Sequence, residues 1–250
     1  MTDDITPPIR HSYDRLADEY ARRIFNELQH KPLDRQLLDR FAAEVAGCGE
    51  VCDMGCGPGH VARYLRDIGA TVYGLDISPR MVEEARQLNL DLSFREGNML
   101  ALDIPDRTLA GIAAFYAIVN ISKEFLPLVF RQMVRVLQPG GLLLLAFHTG
   151  DETLHEEELR GRSISMDFFL FPTLEIRGVL EGRASQSKRS SSAGPMPRKS
   201  STRAEERTSL RGSRKSPTRT LQAVWTGQLP MYELPVTRSV RQVDDHHATN

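Results

Sequence analysis

The residues Asp53-Met54-Gly55-Cys56-Gly57-Pro58-Gly59 close a short apolar run, Val51-Cys52-Asp53-Met54, and open a helical pattern from Gly59 to Ile68. A strand ending in an acid, a Gly-x-Gly-x-Gly turn and a helix start together form a cradle for a cofactor. Glycine lets the backbone turn tightly and approach a ligand, and a helix N-terminus favours a negative group. Spacing restricts the ligand. A dinucleotide-binding turn reads G-x-G-x-x-G; counted from Gly55 and Gly57, its third glycine would fall on His60, whereas the glycine stands at 59. One helix and one strand later, Thr71–Leu75 ends on Asp76, where an acid can accept both hydroxyls of a ribose.

Two further turns complete the pattern. Glu96-Gly97-Asn98-Met99 closes a third expected strand, and Leu137-Gln138-Pro139-Gly140-Gly141 precedes a strongly apolar fifth. In this order over residues 50–148, the four features resemble the motifs of class I S-adenosylmethionine (SAM)-dependent methyltransferases of the small-molecule, type 11/25-like kind. The resemblance implies SAM as cofactor. It places Asp53, Gly55, Gly57 and Gly59 in the loop, Asp76 with Ile77 at the ribose, and Asn98 with Met99 at the adenine. Asn98 stands where the family usually has an acid, and it can still accept through its amide oxygen. The Pro139-Gly140-Gly141 turn stops a helix and reverses the chain, which is structural work. Tyr13-Asp14-x-x-Ala17-x-x-Tyr20 looks like the aromatic helix that many members place over the cofactor, which would put Tyr20 at the methionine end. The same spacing equally suits two core tyrosines. Asn120 and His148, beyond the fourth and fifth strands, are the candidates for a general base at the pocket mouth. Either is equally a satisfied polar residue, so no catalytic residue is assigned.

The elements that must position these groups alternate. Helices are expected over His11–Leu28, from Pro32 through Val45, and over Gly59–Ile68, Pro79–Leu88, Phe125–Leu137 and Thr173–Glu181. Strands are expected over Val51–Met54, Thr71–Leu75, Leu92–Arg95, Leu109–Ala117 and Gly141–Phe147. Helices between consecutive strands imply an α/β, doubly wound, Rossmann-like and mostly parallel sheet. The expected divisions are a helical cap over 1–48, a SAM-binding domain over 49–181 and a tail over 182–250.

Charge separates the body from the tail. Residues 1–181 hold 19 Lys and Arg against 28 Asp and Glu, a net of −9, while 182–250 hold 13 against 5, a net of +8. Between Gly182 and Ser216 lie ten serines, with Met196 and Leu210 the large apolar residues, too little to offset chain entropy, so the tail is expected to be disordered. Starting each codon at its third base from Arg183 to Ser213 permits two strand-like runs, FAIEEVIE and RAYIFARKP, similar to the closing antiparallel hairpin of the family. The tail is therefore expected to be a frameshifted segment, with that C-terminal hairpin missing and the fifth strand left as an apolar edge.

Cys48-x-x-x-Cys52-x-x-x-Cys56 is one residue too long for a radical-SAM cluster triad, and His155-Glu156-Glu157-Glu158 reads as a solvated charge run; no metal is expected. No apolar run reaches the roughly 20 residues of a membrane span. Three cysteines and an acidic, polar N-terminus suit the cytoplasm. The reading is methyl transfer from SAM to a small-molecule acceptor. The alternatives are a non-catalytic SAM-binding protein, an inactive frameshifted copy, and a nucleic-acid enzyme using the basic tail, which the acidic body disfavours.

Overall fold

Apolar runs too short to be helices, each followed by an amphipathic helix, leave parallel pairing as the way to bury both faces of every strand. The computed structural model describes residues 5–181 and 219–222. In chain order it forms α1 (Thr6–Ile24), a 3-10 turn (Glu27–His30), α2 (Pro32–Val45), β1 (Val51–Met54), α3 (His60–Asp67), β2 (Val72–Asp76), α4 (Pro79–Leu88) and β3 (Ser93–Glu96). Then follow β4 (Leu109–Phe115), α5 (Leu126–Val136), β5 (Leu137–Ala146), β6 (Thr153–Leu159), β7 (Arg162–Phe169), α6 (Thr173–Leu180) and β8 (Arg219–Gln222). The main sheet has the order β3-β2-β1-β4-β5-β8 with every pairing parallel.

Neighbouring side chains of β5 show the layering. Leu142, Leu144 and Ala146 join a core with Phe41 and Val45 of α2, the apolar face of α3, and Val82 and Ala85 of α4. Leu143, Leu145 and Phe147 join the opposite core, with α5 and Ile176 of α6. α2 thus packs directly on this face of the sheet.

The expected elements over 51–147 are present, with ends moved by a few residues. α1 begins five residues earlier than expected, at Thr6, with proline in its first turn, where a missing N–H leaves no bond unmade. It stops at Ile24, and the next residues make the 3-10 turn instead. Residues 149–172, for which no element was expected, hold the antiparallel hairpin β6–β7. Its two-residue turn is Arg160-Gly161, both at positive φ (55° and 76°), the twist that a tight hairpin requires. Leu159, Ile164 and Met166 from the hairpin pack with Leu16 and Ala17 of α1 and Met81 of α4.

β5 was expected to be an open edge. Instead β8 pairs with it from Leu142↔Arg219 to Leu145↔Gln222, in parallel rather than as an antiparallel hairpin. An apolar edge with unpaired backbone groups is a template for another extended segment, and four residues of the tail take that place. The rest of the tail, where the frameshift and disorder were expected, lies outside the described residues.

Candidate functional site

The glycine loop is shaped by what surrounds each glycine. Gly55, Gly57 and Gly59 all have left-handed backbones, at φ 74°, 51° and 81°. A Cβ on Gly59 would meet Phe94 Cζ at 2.6 Å and Asn89 Nδ2 at 2.9 Å, and one on Gly55 would meet Ala117 Cβ at 2.6 Å. At Gly57 the nearest atom is Tyr20 Cε1, at 3.6 Å, with space beyond it. Gly59 therefore serves packing, while Gly57 is the glycine with room for a ligand to approach its backbone.

The two acids do different jobs. Asp53 is 1% exposed and its Oδ2 accepts from Ala62 N at 2.9 Å, which fastens the first turn of α3 to β1. Burial pushes its carboxyl up to about 7, against the pull of His60 and the Ala62 amide. Asp76, at the end of β2, accepts from Gly57 N at 2.8 Å through Oδ2 and from Ser78 N at 2.9 Å through Oδ1. Burial raises its carboxyl too, opposed by these backbone donors. Ser78 caps α4, accepting from Met81 N at 3.1 Å, and its hydroxyl donates to Asp14 Oδ1 at 2.6 Å, which ties α1 to the edge of the site.

A cavity opens where β1, β2, β3 and β4 end, with about 1020 Å³ of non-atom space including its mouth. Of the nine residues expected at the cofactor, Tyr20, Gly55, Gly57, Asp76, Ile77, Asn98 and Met99 line it. Asp53 and Gly59 do not; they hold the loop from behind. Asn98 Oδ1 already accepts from Leu100 N at 2.9 Å, and its Nδ2 donates to Thr6 Oγ1 at 3.3 Å. The oxygen keeps one lone pair for a ligand.

α1 forms the roof. Tyr13 and Tyr20 meet edge to face with ring centres 6.3 Å apart, and both line the cavity. Burial raises both hydroxyls far above the usual range. Tyr13 donates to Asn120 Oδ1 at 2.6 Å, and Asn120 Nδ2 donates to Asp167 O at 2.7 Å. Asn120 lines the cavity with both ends of its amide engaged, so it joins roof to hairpin. His148 stacks on Tyr116 at 4.8 Å, behind the lining, and burial with Lys31 nearby lowers its ring below the usual value. His155 pairs with Asp167 Oδ1 at 2.7 Å across the hairpin, outside the site. Cys48 is exposed, whereas Cys52 and Cys56 are buried with thiols pushed well up by burial. Among the described residues no helix is long and apolar enough to cross a membrane.

Four titratable lining residues lie outside the sequence motifs: Glu27, Asp34, His60 and Tyr116. Tyr116 alone carried a signal, since it follows the fourth strand, where ligands of doubly wound sheets lie.

Open space at Gly57, an acid at the end of β2 and an amide oxygen at the end of β3 fit the loop, ribose and adenine of an adenosine-containing cofactor. Known proteins agree. Residues 51–141 match the family model of a methyltransferase domain. The chain is 32% identical over 142 residues to a malonyl-[acyl-carrier protein] O-methyltransferase of Pectobacterium atrosepticum, covering 55% of this chain and 52% of that one. It is 32% identical over 149 residues to a demethylmenaquinone methyltransferase of Tropheryma whipplei, covering 56% and 59%. The chain thus spans about half the length of these relatives. The fold is shared with a solved DhpI–SAH complex at TM-score 0.60 and 20% identity, over 73% of this chain and 89% of that one. Residues 51–141 thus match a methyltransferase domain, and their loop spacing and sheet order are similar to those of class I SAM-dependent methyltransferases.

Proposed function

We propose that the chain transfers a methyl group from SAM to a small-molecule acceptor. The observation that carries the reading is the meeting of Gly57, Asp76, Asn98 and the aromatic roof of α1 in one cavity. Bound there, SAM supplies a methyl group already activated by its sulfonium. The protein's part is to hold it. The Gly57 backbone and the N-terminus of α3 face the methionine portion, Asp76 accepts the ribose hydroxyls, and Met99 flanks the base. Tyr13 and Tyr20 cover the cavity, exclude water and offer aromatic faces to a sulfonium cation. Alignment and desolvation are the principal contributions to such a displacement. The relatives' names differ in acceptor, a malonyl group on a carrier protein in one and a demethylmenaquinone in the other, so they do not choose one for this chain.

Calorimetry with SAM and S-adenosylhomocysteine tests the reading. Both should bind, and Asp76→Ala should weaken them about 10- to 100-fold, the worth of a hydrogen bond to a charged group. Absence of binding by the wild-type chain overturns it. A binding protein without activity would bind both ligands and release no S-adenosylhomocysteine from SAM with any acceptor.

A further inference from the structure

The cavity has a second polar wall that the cofactor residues do not use. Asp76 and Asn98 lie at the strand ends on one side of β1, whereas Tyr116 directly follows β4 on the other side. Around Tyr116 stand Glu27 of the 3-10 turn, Asp34 in the first turn of α2 and His60 at the start of α3, and all four line the cavity. Glu27 is fully engaged: His60 Nε2 lies 3.1 Å from its Oε1, and Lys31 Nζ lies 2.9 Å from its Oε2. Burial would raise its carboxyl, but His60 and Lys31 hold it down at about 2. The ring of His60 therefore donates through Nε2, and its Nδ1 is buried with no partner among the described residues.

Asp34 is different. It is 4% exposed and lines the cavity, yet among the described residues no hydrogen bond or ion pair reaches its carboxylate. The neighbouring cation is already committed, since Lys31 pairs with Glu27 and stands 5.3 Å over the Tyr116 ring. The carboxylate lines the cavity with no protein donor, which leaves its oxygens open to a donor on a ligand. Tyr116 adds a second irregularity. Its φ of 52° is left-handed, an uncommon conformation for an aromatic residue and one that sets its ring at the end of β4. Among the described residues no group of three or more His, Cys, Asp or Glu is placed to hold a metal ion.

We propose that this wall is the acceptor subsite and that the acceptor is a small amine, whose N–H groups bond to Asp34 beside Tyr116. The proposal rests on the methyl-transfer reading and narrows its acceptor. Glu27 is balanced by Lys31 and His60, which leaves the unpaired Asp34 carboxylate as the group that attracts an ammonium and repels a carboxylate. Burial, opposed by Lys31 and His60 and reinforced by Glu27, raises the Asp34 carboxyl, and its contact with the ammonium N–H makes it the group that takes that proton. With the proton on Asp34, the nitrogen lone pair forms the N–C bond to the methyl carbon. The C–S bond breaks, and its electron pair stays on sulfur. The products are a methylated ammonium and S-adenosylhomocysteine, and Asp34 returns its proton to water.

The test uses three probes of one size and shape on the full chain with S-adenosylhomocysteine bound: 2-phenylethylamine, 2-phenylethanol and phenylacetate. Calorimetry should show the amine binding at least about tenfold more tightly than phenylacetate, the worth of one charged contact. Asp34→Asn, nearly isosteric, should remove that preference while leaving S-adenosylhomocysteine affinity within about twofold. Equal or tighter binding of the alcohol or the acid, or no binding of the amine, overturns the proposal. So does an equal loss of S-adenosylhomocysteine affinity in Asp34→Asn, which would assign Asp34 to the cofactor. A wild-type chain that does not bind S-adenosylhomocysteine overturns the methyl-transfer reading itself, and this proposal with it.

Discussion

At the scale of single residues, the motif glycines separate by what a methyl group would strike. Gly59→Ala forces a Cβ into Phe94 and Asn89 from a left-handed backbone, and should destabilise the fold by about 2–4 kcal/mol in chemical denaturation. Gly57→Ala meets Tyr20 at ordinary contact distance and bears the backbone strain alone, about 1–2 kcal/mol. Its larger effect should be on SAM affinity, since it faces the cavity. Equal SAM affinity in Gly57→Ala and wild type would show that the loop does not carry the ligand. Asp53 predicts a pH dependence. Its folded carboxyl is pushed from the ordinary 3.8 to about 7, so the folded chain holds the proton more tightly than the unfolded one. That contribution to stability is complete below about pH 4 and is lost as pH rises through about 7. Asp53→Asn keeps an oxygen for Ala62 and removes the titration. Its melting temperature should therefore fall less between pH 5 and 8 than that of the wild type, and identical slopes would refute the assignment.

At the scale of elements, the parallel core was legible because its signals are redundant. Val51–Met54, the glycine turn, Asp76 and the leucines of β5 each indicate both an element type and a position. The hairpin β6–β7 was not legible in the same way. On β6 the apolar residues are Leu154 and Leu159, separated by His155-Glu156-Glu157-Glu158, and that stretch reads as solvated charge. The alternation Ile164, Met166, Phe168 and the Arg160-Gly161 turn carried the missing signal, but half of each strand faces solvent. The site divided along the same line. Seven of the nine motif residues line the cavity, whereas Asp34 and His60 reach it only because α2 and α3 meet there. The hairpin supports the roof through Leu159, Ile164 and Met166 beneath α1. Ile164→Ala should cost about 2–4 kcal/mol and weaken SAM binding as α1 loosens. A stability loss with unchanged affinity, measured by melting and calorimetry on the same protein, would separate the hairpin from the site.

At the scale of the whole molecule, β8 and the charge division bear on one property, association. β8 covers the backbone edge of Leu142–Leu145. A chain lacking 182–250 loses that cover, and at a net of −9 keeps an acidic body with an unpaired apolar strand. Light scattering should show that this shortened chain self-associates at concentrations where the full chain does not. Matching profiles would show that β5 tolerates an open edge. The same strand also decides where alignment information resides. Four consecutive leucines, buried on both faces, look alike after a shift of one residue, so they do not fix which backbone groups face β4. The turn before them does. The pairing jumps from Leu109↔Leu137 to Gly111↔Leu142, and at Gly141 a Cβ would lie 2.9 Å from Gln138 O and 3.1 Å from Leu109 O. The four leucines supply the energy of the strand and almost none of its address, which is written in Gln138–Gly141.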